Sequence, residues 1–561
     1  MSGGRKRTWK QQARHALRDG ARWTRDLPGP APELVRGAFR ALPESTPGKA
    51  RVRRILADPA PAPAAASKRE APSGSARGRE RASDLLAVDP AWIGATYEPE
   101  DVLPMLAVEN EILRRRLTEA LGRAEAAEAA ARQDAPALEA EEPGAPERVD
   151  EDGEPLPSAA ELAQAYLDGQ PDPGDAPRHL VVANDYPDVG REYGNGFVHR
   201  RLKHYTAAGV HVDVVLAAPS LTPRIYEYDG VRVLSGHGPE ISEVLARQDY
   251  HSISVHFLNE LMWEHLRVHA ADTPVHVFLH GYECDRWIRR VFNFASGTEL
   301  ERAVDRTLRL QRFWQSVTRD PAQPASYIFV SDWWRRAVTD DMGVVFPATR
   351  SQIIHNFIDT DLFRYVPKPA EQRFRILWVR SAASRKYGND LAIQALQRLA
   401  EGRHWKDVEV TVIGDGTYFH EFEEALGHHG NVRIERRFVS QEEVATLHRS
   451  HGLLLVPSRL DSQGVSRDEA MSSGLVPVTN LVTAIPEFVD EGCAVVAGPE
   501  DADTLARGME RVMDDPQLFA ELSRAATERA FRQCSAAPTV LRELEVMGLS
   551  ADGRKEEETD A

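Results

Sequence analysis

The feature that most constrains the fold of this 561-residue chain is a series of short apolar runs that begins near residue 179. Each run is rich in Val, Ile and Leu, and stretches with helical periodicity separate successive runs. Such runs are typical of parallel strands covered by helices on both faces. Twelve runs are too many for one ordinary sheet, so the sequence predicts an α/β fold with two doubly wound parallel-sheet domains, residues 178–364 and 365–535. The runs are LVVAN (180–184), HVDVVLA (211–217), ISVHF (253–257), VHVFLH (275–280), YIFVS (327–331), QIIHN (352–356), RILWVR (375–380), VEVTVIG (408–414), VRIERR (432–437), LLLVPS (453–458), VPVTN (476–480) and CAVVA (493–497).

A different composition marks residues 1–177, which are rich in Ala, Pro, Glu and Arg and predict a mostly disordered, partly helical extension. Residues 1–57 hold 14 Lys/Arg against 4 Asp/Glu, a balance of +10, whereas residues 134–176 hold 13 Asp/Glu and one Arg. Residues 57–78 have almost nothing to bury and predict a flexible linker, as does the acidic stretch. A polar tail is expected at residues 536–561.

Residues 103–132 contain a heptad pattern, for which two interpretations are open. One is a short coiled coil that supports weak self-association. The other is a lone helix, because the second half of the pattern offers only alanine. The heptad positions are Leu106, Leu113, Ala120 and Ala127 on one side and Asn110, Leu117, Ala124 and Ala131 on the other.

The basic head also has two interpretations. Trp9, Ala13 and Leu17 share one helical face among Arg and Lys residues, the pattern of a helix lying on an anionic membrane. Gly20 interrupts that pattern, which favours a plain disordered basic tail equally.

Net charge and cysteine content exclude several classes of protein. The formal net charge of −17 argues against nucleic acid as a partner, because phosphate binding needs a concentrated basic surface. Cys284, Cys493 and Cys534 are too few and too scattered for a disulfide framework or a zinc site. No apolar run approaches the ~20 residues of a membrane-spanning helix, and no apolar segment follows the basic amino terminus to form a secretory signal. A cytoplasmic location, with peripheral membrane contact under the first interpretation of the head, is therefore expected.

Residues suited to ligand binding gather just after the predicted strands, where open α/β sheets bind their ligands. In the first domain, Gly194 and Gly196 precede a helix whose amino terminus favours an anion, although a tight structural turn explains the two glycines equally well. His280 ends the run VHVFLH. This histidine could be a polar cap at the surface end of the strand. The Gly281 and the charged segment that follow it favour a functional role instead.

In the second domain, two cations leave the strand RILWVR. Arg380 and Lys386 form a natural clamp for a diphosphate, with a solvated basic loop as the alternative. The run VEVTVIG ends at Gly414, in a turn that is open to a ligand or simply structural.

The loop after LLLVPS carries the most informative pattern. Asp461 lies in the loop, and Glu469 lies in the helix that begins at Gly464, Val465 and Ser466. Two carboxylates at this spacing can face one cleft, where the first helix amides meet an anion. Carboxylates suit sugar or ribose hydroxyls because each can accept two hydrogen bonds. The alternative makes Asp461 an ordinary loop acid and Glu469 a partner of a nearby arginine.

Taken together, these residues resemble the motifs of the family 4, or group one, retaining glycosyltransferases of GT-B fold, from about His179 to Ala530. Asp461 and Glu469 are similar to the family's E-x7-E element, and EAMSSGLVPV (469–478) to its EAM-x-x-G-x-P-V run. The other matching elements are Arg380 with Lys386 (the G-R…K-G loop), IIHNFIDTDLF (353–363, the interdomain segment), Gly194 with Gly196 (the Gly-rich loop), His280 (the histidine at the inner strand end) and IPEFV (485–489).

The resemblance implies two Rossmann-like domains that face each other across a cleft, with the acceptor on the first and the donor on the second. It implies transfer of a sugar from a nucleotide-diphosphate sugar, with retention, to a carbohydrate or lipid-linked acceptor in polysaccharide or glycoconjugate synthesis. No metal and no cofactor are expected. The implied catalytic residues are Arg380 and Lys386 (on the departing diphosphate), His280 (near the anomeric carbon) and Asp461 (on the sugar hydroxyls). The implied donor-binding residues are Glu469 (on the ribose), Gly464, Val465, Ser466, Gly194, Gly196 and Gly414.

Several positions depart from the family pattern. Asp461 replaces a longer glutamate, and Gln463 stands where an aromatic residue is usual, which predicts an altered wall of the donor pocket. Val379 replaces a glycine before Arg380, and Tyr387 separates Lys386 from Gly388. Two other functions therefore stay open, a nucleotide-sugar epimerase or phosphorylase on the same fold and a degenerate sugar-nucleotide-binding protein.

Overall fold

A computed structural model describes residues 109, 112, 157–191, 194–270, 272–294 and 296–550. The described residues divide into two compact units, one with residues 109, 112 and 287–306 and the other with 157–286 and 307–550. In the smaller unit, the indole N–H of Trp287 donates to the buried Glu109 carboxylate at 2.7 Å. The basic head, the Ala/Pro linker and most of the heptad lie outside the described residues, so their roles and self-association stay predictions.

The chain alternates strands with helices. The helices are α1 (Ala159–Asp168), α2 (Gly196–Ala207), α3 (Pro239–Leu245), α4 (Glu260–His269), α5 (Gly297–Arg319), α6 (Asp332–Met342), α7 (Asn389–Ala400), α8 (His420–Leu426), α9 (Gln441–Ser450), α10 (Val465–Ser472), α11 (Ile485–Phe488), α12 (Ala502–Asp514), α13 (Pro516–Cys534) and α14 (Arg542–Val546). The strands are β1 (Arg178–Ala183), β2 (His211–Ala217), β3 (Arg224–Tyr228), β4 (Val231–Gly236), β5 (Ser252–His256), β6 (Val275–Leu279), β7 (Ser326–Phe329), β8 (Ser351–Ile353), β9 (Arg375–Val379), β10 (Glu409–Gly414), β11 (Val432–Arg436), β12 (Leu453–Leu455), β13 (Val476–Asn480) and β14 (Val495–Ala497).

Two separate sheets confirm the predicted fold class. The first has the order β3-β4-β2-β1-β5-β6-β7-β8 and the second the order β11-β10-β9-β12-β13-β14. All neighbouring strands pair in parallel except β3 with β4. In β1, Leu180 and Val182 pack into one apolar cluster while Val181 and Ala183 pack into another. Both faces of the sheet are therefore covered, which explains the nearly continuous apolar strands.

The antiparallel hairpin β3–β4 is absent from the predicted strands. Its turn consists of Asp229 (φ 49°) and Gly230 (φ 77°), which are both left-handed. A two-residue Asp-Gly turn of this kind matches the twist of a hairpin. The Asp-Gly dipeptide is the sequence signal for this hairpin. The partly exposed β3 lacks the apolar run that predicts the other strands.

Helix α1 belongs to the first domain, which therefore begins before the predicted start at residue 178. Ser158 and Glu161 form a reciprocal cap at its amino terminus. Leu162, Ala163 and Tyr166 are buried in the main apolar cluster of the first sheet. The Tyr166 hydroxyl accepts a hydrogen bond from the backbone N–H of Val214 at 2.6 Å. This part of the acidic stretch is thus a structural helix and not a linker.

Removal of α1 should destabilise the first domain. We expect a chain beginning at Asp175 to unfold at lower urea concentration than a chain beginning at Pro157, by at least ~3 kcal/mol, because truncating even one buried large side chain costs about 2–5 kcal/mol. Tyr166→Phe in the longer chain should cost only about 1 kcal/mol, the value of one hydrogen bond. Equal midpoints for the two truncated chains would show that α1 does not stabilise the domain.

The region after residue 536 also differs from the predicted polar tail. A π-helical turn, Ala537–Leu541, leads into α14. Val540, Leu544, Met547 and Leu549 are buried in a cluster with Tyr205 of α2. The chain therefore returns to the first domain after completing the second, and this part of the carboxyl-terminal region belongs to the core.

None of the helices in the described ranges has both the length and the apolar composition that a membrane crossing requires.

Candidate active site

The loop after β9 places two cations around one aromatic ring. The Arg380 guanidinium carbon and the Lys386 Nζ each lie 4.5 Å from the centroid of the Tyr387 ring. Tyr387 is one of the departures from the family pattern, and here it orders both side chains by cation–π contact. Arg380 and Lys386 thus both contact one ring at the end of β9, where a diphosphate clamp is predicted.

Arg380 is held on one side and available on the other. Its Nη1 donates to the carbonyl oxygens of Pro457 (2.9 Å) and Tyr387 (3.3 Å) and to Ser458 Oγ (3.3 Å). Its Nε is buried without a hydrogen-bond partner. Burial lowers the pKa of Arg380, and nearby Asp461 opposes that effect. An anion bound here would stabilise the positive charge of the buried guanidinium and could accept a hydrogen bond from it.

The Lys386 backbone is fixed by a hydrogen bond, and its amine lies against the Tyr387 ring. The carbonyl oxygen of Lys386 accepts from the Arg459 backbone N–H at 2.8 Å. Arg459 itself binds the carboxylates of Asp390 and Glu500. Within the described ranges, Lys386 Nζ makes no hydrogen bond or ion pair, so the structure presents a free cation on a rigid loop.

Gly414 has a structural reason to be glycine. A Cβ at this position would lie 2.1 Å from the Arg380 carbonyl oxygen, because the loop after β9 presses against the end of β10. The Ala382 N–H donates to Asp415 O at 2.8 Å in the same contact. Gly414 therefore positions the Arg380 loop, which favours the structural alternative over direct donor contact.

Asp461 lies in a tightly tied loop after β12. Its Oδ1 accepts from the Gln463 N–H at 3.2 Å. Thr483, in the left-handed conformation at φ 52°, bonds both the N–H (3.1 Å) and the carbonyl oxygen (2.9 Å) of Asp461 through its hydroxyl. A strained residue of this kind persists only where its surroundings hold it. The carboxylate of Asp461 is thereby fixed within electrostatic reach of Arg380.

Helix α10 begins in the same loop. Gly464 has φ 105°, and a Cβ there would meet the Arg467 guanidinium. In the described residues, the backbone N–H groups of Val465 and Ser466 bond no acceptor, as expected of the first turn of a helix. These amides, with the positive end of the helix dipole, suit an anionic ligand.

Glu469 lies further along α10 and is almost fully buried. Burial raises its pKa to about 7, and the nearby Asp468 and Asp359 raise it further while Arg200 lowers it. Arg200 Nη2 lies 3.6 Å from Glu469 Oε1. Arg200 belongs to α2 of the first domain, so this ion pair crosses from one domain to the other. Sequence reasoning missed Arg200, and its only signal is its place one turn into the helix after the Gly-rich loop.

The Gly-rich loop of the first domain is organised by the residue between its glycines. Asn195 takes the left-handed conformation at φ 50°, and its amide donates to Asn184 Oδ1 and Asp185 O, both at 3.0 Å. Gly194 closes a turn onto Arg191 O, and Gly196 starts α2. Asn195 thus secures the turn, and the two glycines lie beside the amino terminus of α2. Contact of these glycines with the donor stays a prediction.

His280 belongs to a buried histidine pair. Its Nε2 lies 2.9 Å from His256 Nδ1, and the rings are stacked. Burial lowers the pKa of both well below the usual value, with nearby Arg201 adding to the effect, so both are neutral. Phe257 packs beside them in the left-handed region at φ 58°, an unusual conformation for a bulky residue. His256 is not among the residues singled out from the sequence, and the structure adds it to the site through its contact with His280.

Glu283 organises the backbone around His280. Its carboxylate accepts from the His280 N–H, and from the Gly281 N–H at 3.0 Å. Burial raises the pKa of Glu283 to about 7. His280 Nδ1 is buried without a hydrogen-bond partner. His280 Nε2 is thus bonded to His256, and His280 Nδ1 is available for a hydrogen bond to a ligand.

The two domains meet at the Asp461 loop. Ser462 Oγ donates to the His280 carbonyl oxygen, and Ser331 Oγ to the Ser462 carbonyl oxygen, both at 2.7 Å. The structure therefore brings the second-domain loop against the strand end that bears His280. Sequence reasoning could place these residues at strand ends but could not see that one contact joins them.

Gln463 lies elsewhere than predicted. Its side chain is 1% exposed, so it does not line a pocket. Its amide makes a two-point contact with Asn356, accepting from the backbone N–H at 2.6 Å and donating to the carbonyl oxygen at 3.3 Å. The amide also donates to Asp468 at 3.0 Å. Gln463 thus ties the interdomain segment to α10, and the expected change in the donor-pocket wall is wrong.

In the described part of the chain, no group of three or more His, Cys, Asp or Glu side chains has a geometry that could hold a metal ion.

Comparison with known proteins bears on the same region. Residues 360–530 match the family model described as "Glycosyl transferases group 1". This range contains all six strands of the second sheet, together with Arg380, Lys386, Asp461 and Glu469. The matched range includes both halves of the site built from β9 and β12.

Curated relatives resemble about a third of the chain. One is the MMP alpha-(1->4)-mannosyltransferase of Mycolicibacterium hassiacum, 30% identical over 177 residues, which are 31% of this chain and 42% of that protein. Another is the glycogen synthase of Mycobacterium tuberculosis, 30% identical over 183 residues, which are 32% of this chain and 43% of that protein. The matched segments thus span about two fifths of the length of these relatives.

Solved structures resemble about two thirds of the chain. A sucrose-phosphate synthase from Thermosynechococcus elongatus is 16% identical with a TM-score of 0.50, covering 66% of this chain and 98% of that one. A glycosyltransferase from Rickettsia africae is 11% identical with a TM-score of 0.50, covering 67% and 98%. At this identity the likeness shows the fold alone, and it agrees with the predicted two-domain architecture.

Proposed function

We propose that this protein transfers a sugar from a nucleoside diphosphate sugar to a carbohydrate or lipid-linked acceptor, with retention of anomeric configuration. The observation that carries the proposal is the pairing of Arg380 and Lys386 at one strand end, beside Asp461 and the open amides of α10, inside a glycosyltransferase group 1 domain. The names of the curated relatives, a mannosyltransferase and a glycogen synthase, support hexose transfer.

In the proposed reaction, the bond between the anomeric carbon and the diphosphate breaks and a bond to the acceptor oxygen forms. The departing diphosphate gains negative charge, which Arg380 and Lys386 neutralise from fixed positions. Val465 and Ser466 offer backbone N–H groups to the same anion. Gly194 and Gly196 approach it from the first domain.

The remaining groups hold the sugar and the nucleoside. Glu469 accepts hydrogen bonds from the donor ribose, and Asp461 from hydroxyls of the transferred sugar. His280 is neutral, and its carbonyl oxygen accepts a hydrogen bond from Ser462, the residue after Asp461. It would bind the sugar near the anomeric carbon. Closure of the two domains excludes water, which would otherwise hydrolyse the donor.

The proposal includes no resident metal or cofactor. It also includes a cytoplasmic location, with the basic head as a peripheral membrane contact. Polysaccharide or glycoconjugate synthesis is the process that these substrates suit.

A donor screen tests the function. Several nucleotide sugars are incubated with the full chain, with and without a panel of free sugars, oligosaccharides and lipid-linked sugars, and the products are read by mass spectrometry. A transferase releases nucleoside diphosphate and yields an acceptor heavier by one sugar residue. An isomerised nucleotide sugar would indicate the epimerase instead, phosphate-dependent cleavage would indicate a phosphorylase, and binding without any product would indicate a degenerate protein.

A further inference from the structure

The cross-domain ion pair between Arg200 and Glu469 has a geometry that the proposed function does not yet use. Both side chains are largely shielded, with 18% and 7% of their surfaces exposed. Arg200 lies on α2, one turn after Gly196, and Glu469 lies on α10. Each residue therefore comes from the helix that follows a candidate donor-binding loop, one in each domain.

The pair leaves most of the Glu469 carboxylate unoccupied. At 3.6 Å, Arg200 Nη2 and Glu469 Oε1 form an ion pair without a hydrogen bond. Within the described residues, no side-chain or backbone donor bonds either carboxylate oxygen of Glu469. A carboxylate has about four acceptor positions, so this one can still accept bonds from two adjacent hydroxyl groups while Arg200 stays beside it.

The charges around Glu469 show what Arg200 supplies. Desolvation opposes the ionised form, and the neighbouring carboxylates of Asp468 and Asp359 oppose it further. Asp468 is itself bound by Arg467 and Gln463. Arg200 is the cation that acts on Glu469 in the favourable direction.

We propose that Arg200 is a positioning residue for the donor, which reaches from the first domain to hold the Glu469 carboxylate in place for the hydroxyl groups of a nucleoside diphosphate. The inference rests on the proposed function, since it takes the ribose as the partner of Glu469. A protonated Glu469 would offer fewer acceptors to the ribose, so binding of the nucleotide needs the charged form. Arg200 thereby extends strong binding to lower pH.

The test measures the dissociation constants of UDP, GDP and ADP by titration calorimetry between pH 6 and 9. Arg200→Gln should weaken binding of the preferred nucleotide about fivefold at pH 7 and nearly tenfold at pH 6, the effect of raising the pKa of Glu469 from about 7 by about one unit. The defect should shrink toward pH 9, where Glu469 ionises without help. Comparison with the wild type at each pH cancels the ionisation of the nucleotide itself.

Two further variants frame the result. Glu469→Gln should bind weakly with no recovery toward pH 9, because its amide does not titrate. Lys203 lies on the same helix as Arg200 and pairs with Asp229 at the surface. The Lys203→Gln variant therefore removes a cation without touching Glu469, and it should bind the nucleotide like the wild type. Circular dichroism and melting temperature report whether each variant is folded.

Several outcomes would overturn the inference. They are an Arg200→Gln variant that binds like the wild type at pH 7, one that binds more tightly, and one whose defect is equal at every pH. In those cases nucleotide binding by the wild type would leave the proposed function standing. A wild type that binds none of the three nucleotides would remove the proposed function and this inference with it.

Discussion

Replacing Arg380 or Lys386 should reduce kcat and kcat/KM together, by about a hundredfold or more for each residue. The physical reason is that both cations meet charge that grows as the glycosidic bond breaks. Losing one preorganised group of this kind costs about 3–4 kcal/mol of transition-state stabilisation. The variants are Arg380→Ala and Lys386→Met, measured with the donor identified by the screen.

The structure supplies a control for this result. Arg436 is another cation at the carboxyl edge of the same sheet, but it is exposed and bound to Asp415 at 2.8 Å. Arg436→Ala should keep near wild-type turnover. Arg380 also bonds the carbonyl oxygens of Pro457 and Tyr387, so melting temperatures must show that Arg380→Ala is folded. A folded double variant with full activity would refute the proposed clamp.

Glu543→Ala should destabilise the protein by about 3–5 kcal/mol. Arg201 Nε donates to Glu543 Oε1 at 3.0 Å, and both side chains are essentially inaccessible to solvent. Tyr205 donates its hydroxyl hydrogen to the other oxygen of Glu543. Removing the carboxylate leaves a buried guanidinium without its counter-ion, which is costly in a medium of low polarity. Urea unfolding followed by circular dichroism measures the change in free energy.

The double variant Arg201→Met, Glu543→Leu makes this prediction specific. It removes both charges, so it should be more stable than Glu543→Ala alone. Glu545→Ala is the matched surface change, because Glu545 pairs with Arg542 on the exposed face of the same helix. That change should cost less than 1 kcal/mol. A Glu543→Ala variant with wild-type stability would show that the ion pair does not hold α14 to the first domain.

Patterns local to the chain were sufficient for the fold class. All twelve predicted apolar runs contain a strand, because burial on both faces leaves a signal in a few consecutive residues. Placing Arg380, Asp461 and Glu469 in one region followed from the rule that parallel strands end at the same edge. Their roles in the reaction stay predictions.

Features that depend on distant partners could not be read in the same way. Helix α1 lies in an acidic stretch whose composition resembles a linker, yet Tyr166 is buried because β2 provides a backbone N–H and an apolar surface for it. Gln463 departs from the family pattern that the motifs resemble, and its side chain bonds Asn356, 107 residues away. Arg200 and Glu469 are likewise far apart in the chain and meet where the first domain contacts the second.

The contact between Glu487 and helix α6 joins the two domains through backbone hydrogen bonds. Glu487, in α11 of the second domain, accepts from the backbone N–H groups of Asp332 (3.0 Å) and Trp333 (2.5 Å), the first two residues of α6 in the first domain. Opening of the cleft would break both bonds and expose these amides to solvent. Their rate of exchange with deuterium would then follow the fraction of molecules that are open, so these two amides would report how often the two domains separate.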